Sequence, residues 1–133
     1  MSQLVLDDQL DLQKILPALE ELLTMVRLQD LRPGEHILDD RVPPLLLNLK
    51  RPTFVTIDHG FWKRKLCHPK YCILFFDLHK DKQEQLPALL RKLFRLPEFR
   101  TRSARMGKVA RISKKGVTYW EDDQKVKLDW PDR

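Results

Sequence analysis

An apolar β-type run that stops abruptly on a carboxylate constrains this chain more than any other feature. Residues 53–61 read TFVTIDHGF: Thr53, Phe54, Val55, Thr56 and Ile57 favour a strand, Asp58 ends it, and a His-Gly turn and Phe61 follow. Continuous apolar character, without alternation, marks a strand covered on both faces, as in parallel sheets. In open α/β sheets ligands gather at the carboxyl ends of such strands, so Asp58 falls where a site would lie. The start of the chain repeats the pattern, with Leu4-Val5-Leu6 giving way to Asp7 and Asp8. Two strands ending in acids point to a metal site.

Between these strands the spacing predicts helices. Leu12, Ile15, Leu16, Leu19, Leu22 and Leu23 recur at helical intervals after a candidate cap at Asp11, with Pro17 either kinking that helix or opening a shorter one. Met25, Val26 and Leu28 form a second strand candidate, ended by Asp30 and an Arg-Pro-Gly turn. Residues 37–48 predict a second helix, and Pro43 and Pro44 fit only its first turn, which places its start near residues 40–42. Leu45, Leu46, Leu47 and Leu49 are its expected buried face. The resulting order β-α-β-α-β favours a parallel sheet with right-handed crossovers.

Residues 61–70 read as a surface loop or short helix, and 71–78 as the most hydrophobic strand. An amphipathic helix is expected over 83–94, where Leu86, Leu89, Leu90, Leu93 and Phe94 share a face. Residues 106–120 predict a hairpin turning at Lys114-Lys115-Gly116. The expected organisation is one domain over 1–120 followed by a polar tail, 121–133.

The net charge of +6 conceals a segregation. Residues 1–50 carry 5 basic and 9 acidic side chains, residues 51–120 carry 17 and 5, and the last 13 carry 3 and 5. A basic second half points to a polyanion, with nucleic acid the usual partner. No apolar run approaches the roughly 18 residues that would cross a membrane, and acids at Asp7 and Asp8 replace the basic start of a signal peptide. Two cysteines, Cys67 and Cys72, are too few for a disulfide framework and suit a reducing compartment, so a cytoplasmic location is expected. Cys67, His68, Cys72 and His79 offer a superficial zinc pattern. However, Cys72 lies in an apolar strand and no second cysteine pair exists. Cys67 and His68 are poorly suited to act as nucleophile and base because adjacent residues seldom meet in that way.

Three motifs, taken in order, resemble the PIN-like superfamily, closest to its small bacterial branch of toxin-like ribonucleases. A short hydrophobic strand runs into Asp, a second acid, a polar residue and Leu, here Leu6-Asp7-Asp8-Gln9-Leu10. A helix-starting acid matches Asp40, with Asp39 beside it. A third strand ends in a family pattern of Asp, any residue, Asp and Phe, here Asp58-His59-Gly60-Phe61. A helix of Leu-Leu-Arg-Lys-Leu type and a basic hairpin then follow. The resemblance spans nearly the whole chain and implies a three-layer α/β/α fold with a mainly parallel central sheet and a C-terminal β-hairpin.

It also implies a Mg²⁺- or Mn²⁺-dependent endoribonuclease, the toxin half of a toxin–antitoxin pair. Asp7, Asp40 and Asp58 would be its catalytic acids, and Asp7, Asp8, Asp40 and Asp58 its metal ligands. Hard cations take carboxylate oxygens and supply both a nucleophilic water and charge stabilisation. Lys63, Arg64 and Lys65, just past Asp58, and Arg100, Arg102 and Arg105, in a loop-like segment, would hold phosphates. Trp62 would stack on an unpaired base, or else lid the core beside Phe61. At the family's second Asp this chain has Gly60. That departure opens an alternative: a degenerate PIN-like protein that binds RNA or an acidic, antitoxin-like protein without cleaving. The oligomeric state is open.

Overall fold

The computed structural model describes residues 3–7, 10–11, 24–27 and 39–130. The helix expected from Asp11 to Leu23, the turn at 30–34 and Asp8 lie outside the described residues.

The apolar runs form strands where the sequence places them, and the β-type runs 4–6, 53–56 and 72–76 are buried on both faces. β1 (Gln3–Leu6), β2 (Thr24–Arg27), β3 (Thr53–Thr56) and β4 (Cys72–Phe76) are followed by β5 (Lys108–Ser113), β6 (Gly116–Glu121) and β7 (Gln124–Asp129). They make one seven-stranded sheet in the order β2-β1-β3-β4-β5-β6-β7. The first five strands are parallel, as the β-α-β pattern requires, and the last two are antiparallel. The fold is mixed α/β.

Period-two alternation sends neighbouring side chains to opposite faces. One face carries Leu4, Leu6, Val55, Leu74, Phe76, Ala110, Ile112, Val117 and Tyr119 against a helix, α2 (Leu86–Leu93). α2 buries Leu86, Pro87, Leu89, Leu90 and Leu93. Each large apolar side chain contributes about 1.5–3 kcal/mol when fully buried. Pro87 sits in its first turn, where a missing N–H costs nothing, so the helix begins later than residue 83; residues Lys80–Gln85 are 3-10 instead. The other face packs Val5, Phe54, Ile73 and Val109 against Val42, Leu46 and Phe61. Val42 and Leu46 come from α1 (Val42–Leu47), with Pro43 and Pro44 in its first turn. Leu47, expected inside, is exposed. The inward stripe is Val42/Leu46, one turn apart, and Leu47 points off it.

Two connections differ from expectation. Residues 100–105 are not a loop: Thr101 caps a short helix, α3 (Arg102–Arg105), its Oγ1 accepting the Ala104 N–H at 3.0 Å. The polar tail is instead part of the sheet from residue 124, since β7 pairs with β6 along its length. Val126 and Leu128 alternate inward against the core, while Lys125, Lys127 and Asp129 are exposed, so low average hydrophobicity hid the strand. The turn into β6 needs glycine. Gly116 has φ +151°, and a Cβ there would lie 2.5 Å from the Leu128 carbonyl oxygen.

Candidate functional site

Adjacent β1 and β3 leave from the point where the strand order reverses, and both end on acids. The Asp7 N–H donates to the Val55 carbonyl at 3.0 Å, which locks the end of β1 to β3. The Thr56 hydroxyl then donates to Asp7 Oδ2 at 2.5 Å and accepts the Asp58 N–H at 2.9 Å. Thr56 is fully buried and Asp7 nearly so, at 8% exposure. A buried carboxylate has to be hydrogen-bonded, and Thr56 supplies one such bond. Asp58 is half-buried, and its Oδ1 accepts the Gly60 N–H at 2.9 Å, capping the 3-10 turn His59–Phe61. Thr56 therefore links the two acids through one hydroxyl.

The sequence did not mark a third strand-end acid. Asp77 follows β4 as Asp58 follows β3, each two residues past the paired Thr56 and Phe75. The signal was present in YCILFFD, which ends on a carboxylate as TFVTID does. Asp77 is held by Arg111 of β5, whose Nη2 and Nε donate to Oδ2 at 2.6 and 3.0 Å.

Of the expected metal ligands Asp7 and Asp58 meet through Thr56, and Asp8 lies outside the described residues. Asp40 is exposed in the 3-10 turn Asp39–Arg41 ahead of α1 and neither caps that helix nor joins the rim. Among the described residues no three His, Cys, Asp or Glu side chains converge to hold a cation. Mg²⁺ and Mn²⁺ take several oxygen ligands at one point, and the described residues bring only Asp7 and Asp58 of the expected set together.

The expected phosphate contacts divide by burial. Lys63, Arg64 and Lys65 are exposed beyond the rim, Arg64 and Lys65 on the 3-10 turn Arg64–Leu66. Arg100 is exposed and its Nη2 donates to the Arg95 carbonyl at 3.1 Å; Arg102 is half-buried. Arg105 corrects the expectation. It is 1% exposed, its Nε donates to Thr53 Oγ1 at 3.1 Å and its Nη1 to the Phe99 carbonyl at 2.9 Å. Its guanidinium lies 4.4 Å from the Phe94 ring centre, and burial pulls its pKa down. Arg105 clamps α3 to β3 and is withdrawn from solvent. Charge counting along a sequence cannot distinguish such a clamp from a surface arginine.

Aromatic rings accompany the exposed cations. Trp62 and Trp120 are both half-buried, with ring centres 6.5 Å apart. The Arg64 guanidinium and the Lys125 ammonium sit 5.8 and 5.4 Å from the Trp120 ring centre.

Both thiols are held protonated by burial. Burial pushes Cys72 up to about 12, and burial, reinforced by the Asp122 and Glu121 carboxylates, raises Cys67. A nucleophilic cysteine needs the opposite shift. His68 and His79 each accept a local backbone N–H through Nδ1, from Lys70 and Asp81 at 3.1 Å.

No protein-family model, curated protein or solved structure matches this chain. No helix among the described residues is long and apolar enough to cross a membrane.

Proposed function

We propose that this chain is a PIN-like protein of three-layer α/β/α arrangement that binds RNA without cutting it. The observation that carries this reading is the state of the rim. Asp7 is engaged by the buried Thr56 hydroxyl, and Asp58 caps its own turn through Gly60, the position where the family pattern has an acid. Asp40 stands apart in an exposed turn. Binding itself is supported by the charge of residues 51–120, 17 basic against 5 acidic, and by the exposure of Lys63, Arg64, Lys65 and Arg100.

Fluorescence anisotropy with an end-labelled single-stranded RNA tests the reading. Expected is binding that is equal in EDTA and in Mn²⁺ and weakens linearly in log salt, by about 0.7 per phosphate neutralised. Failure to bind RNA at any salt would remove the reading. The competing function is a Mg²⁺- or Mn²⁺-dependent toxin-type endoribonuclease using Asp7, Asp8, Asp40 and Asp58. The contiguity of Asp7, Thr56 and Asp58 at one rim favours it, and affinity that depends on Mn²⁺ would revive it.

A further inference from the structure

The antiparallel end of the sheet has one buried and one open face, and the open face is cationic. Cross-strand register sets Val109 opposite Trp120 and Trp120 opposite Lys125, then Arg111 opposite Thr118 and Thr118 opposite Lys127. All six point to the side away from Tyr119, Val117 and Ile112; Val109 is covered there by the second core, and Trp120, Lys125, Arg111, Thr118 and Lys127 form the open part of that side. Beside the meander lies an open groove of about 480 Å³, lined by Trp62, Thr118, Lys115, Lys125 and Lys127 among others, with no carboxylate in its lining. Arg111, also at the groove, is neutralised by Asp77, but Lys115, Lys125 and Lys127 make no ion pair among the described residues. Trp120 lies 6.5 Å from the Trp62 ring, with Arg64 and Lys125 against its own ring.

Three uncompensated lysines at an open surface attract a polyanion. Charge alone would accept an acidic protein, duplex or single strand equally. The Trp62 indole in the groove lining distinguishes these, because a duplex hides its base faces and an acidic peptide has none. Resting on the RNA-binding reading above, we infer that this groove is the seat of a single-stranded RNA. Lys115, Lys125 and Lys127 track its phosphates, and Trp62 stacks a base.

Intrinsic tryptophan fluorescence, titrated with a short oligouridylate, reads the site directly. Expected is quenching on binding and about 5- to 150-fold weaker affinity for Trp62→Ala, the span of alanine substitution at a stacked base. Trp62→Phe should recover most of it, which a purely structural role would not predict selectively for RNA. Because the lysines are exposed, the Lys125→Glu/Lys127→Glu variant should keep its circular dichroism melt. It should also flatten the slope of log affinity against log salt by about 1.4, or 0.7 per contact. The inference is overturned if these variants bind RNA like the parent chain, in which case RNA binding survives at another surface. It is also overturned if a duplex or polyglutamate binds as tightly as the single strand. Absence of RNA binding by the parent chain would overturn both readings together.

Discussion

Thr56→Val removes a hydroxyl while keeping the side chain's shape, and so isolates what that hydroxyl does at the rim. Thr56 is fully buried, its hydroxyl bonds the Asp7 carboxylate at 2.5 Å, and its oxygen takes the Asp58 N–H. A hydrogen bond to a charged group contributes about 1.5–3 kcal/mol, and its loss leaves a largely buried carboxylate short of a donor. Asp58 is half-buried, so water can take over its N–H at small cost. The Asp7 bond dominates, and Thr56→Val should lose about 2 kcal/mol. Thr56→Ser keeps the hydroxyl and gives up one methyl, a loss of about 0.8 kcal/mol. Urea unfolding should therefore rank Thr above Ser above Val, the last two separated by roughly 1 kcal/mol. If packing alone mattered, Val would match Thr and Ser would be worst. A Thr56→Val midpoint equal to the parent's, or Ser below Val, would refute the rim as described.

Other perturbations have equally definite outcomes. Gly116→Ala forces a methyl to within 2.5 Å of the Leu128 carbonyl oxygen at a φ that L-residues rarely adopt, so a loss of about 1–3 kcal/mol is expected by denaturant unfolding. Arg105→Met strands the Phe99 carbonyl and the Thr53 hydroxyl and should cost about 2–3 kcal/mol while RNA affinity of the folded protein is unchanged. Weakened RNA binding at full stability would instead make Arg105 a phosphate contact. Alkaline stability should fall above pH 9.0. The unfolded Cys72 thiol loses its proton there, whereas the folded one holds it to about 12, so its contribution is complete below 9.0 and is lost as pH rises between those values. Tyr71 and Tyr119, also raised by burial, add to the same slope, and Cys72→Ala should shallow it in urea midpoints measured on either side of pH 9.0.

The strands that build the rim were legible because their chemistry is local. β1, β3 and β4 are apolar runs closed by Asp7, Asp58 and Asp77. Unbroken apolar character is what strands inside a parallel sheet require, even where, as between β3 and β4, the connection holds only 3-10 turns. Pro43 and Pro44 set the start of α1 through a constraint each residue carries by itself, whereas Pro87 carries the same signal for α2 and the apolar spacing from residue 83 overrode it. What could not be read depends on the assembled sheet. β7 is recognisable only once β6 supplies a partner and the core accepts Val126 and Leu128. Arg105 and Arg64 look alike in sequence, yet one is clamped beneath Phe99 and the other lies beside Trp120 at the surface. Asp40 matched a family position, but an acid's usefulness depends on where its turn places it, and this one is exposed and joins no acidic cluster among the described residues. The Trp62–Trp120 pair joins residues far apart in sequence, and no periodicity announces it.

The fate of a bound strand is the most direct measurement. End-labelled single-stranded RNA, saturated with the parent protein in Mn²⁺ and resolved under denaturing conditions, should be recovered at full length. The same complex should dissociate in a native gel as salt rises from about 50 to 200 mM. Fragments that disappear with EDTA or in Asp58→Asn would contradict binding without cleavage and restore a cation to the Asp7–Asp58 rim.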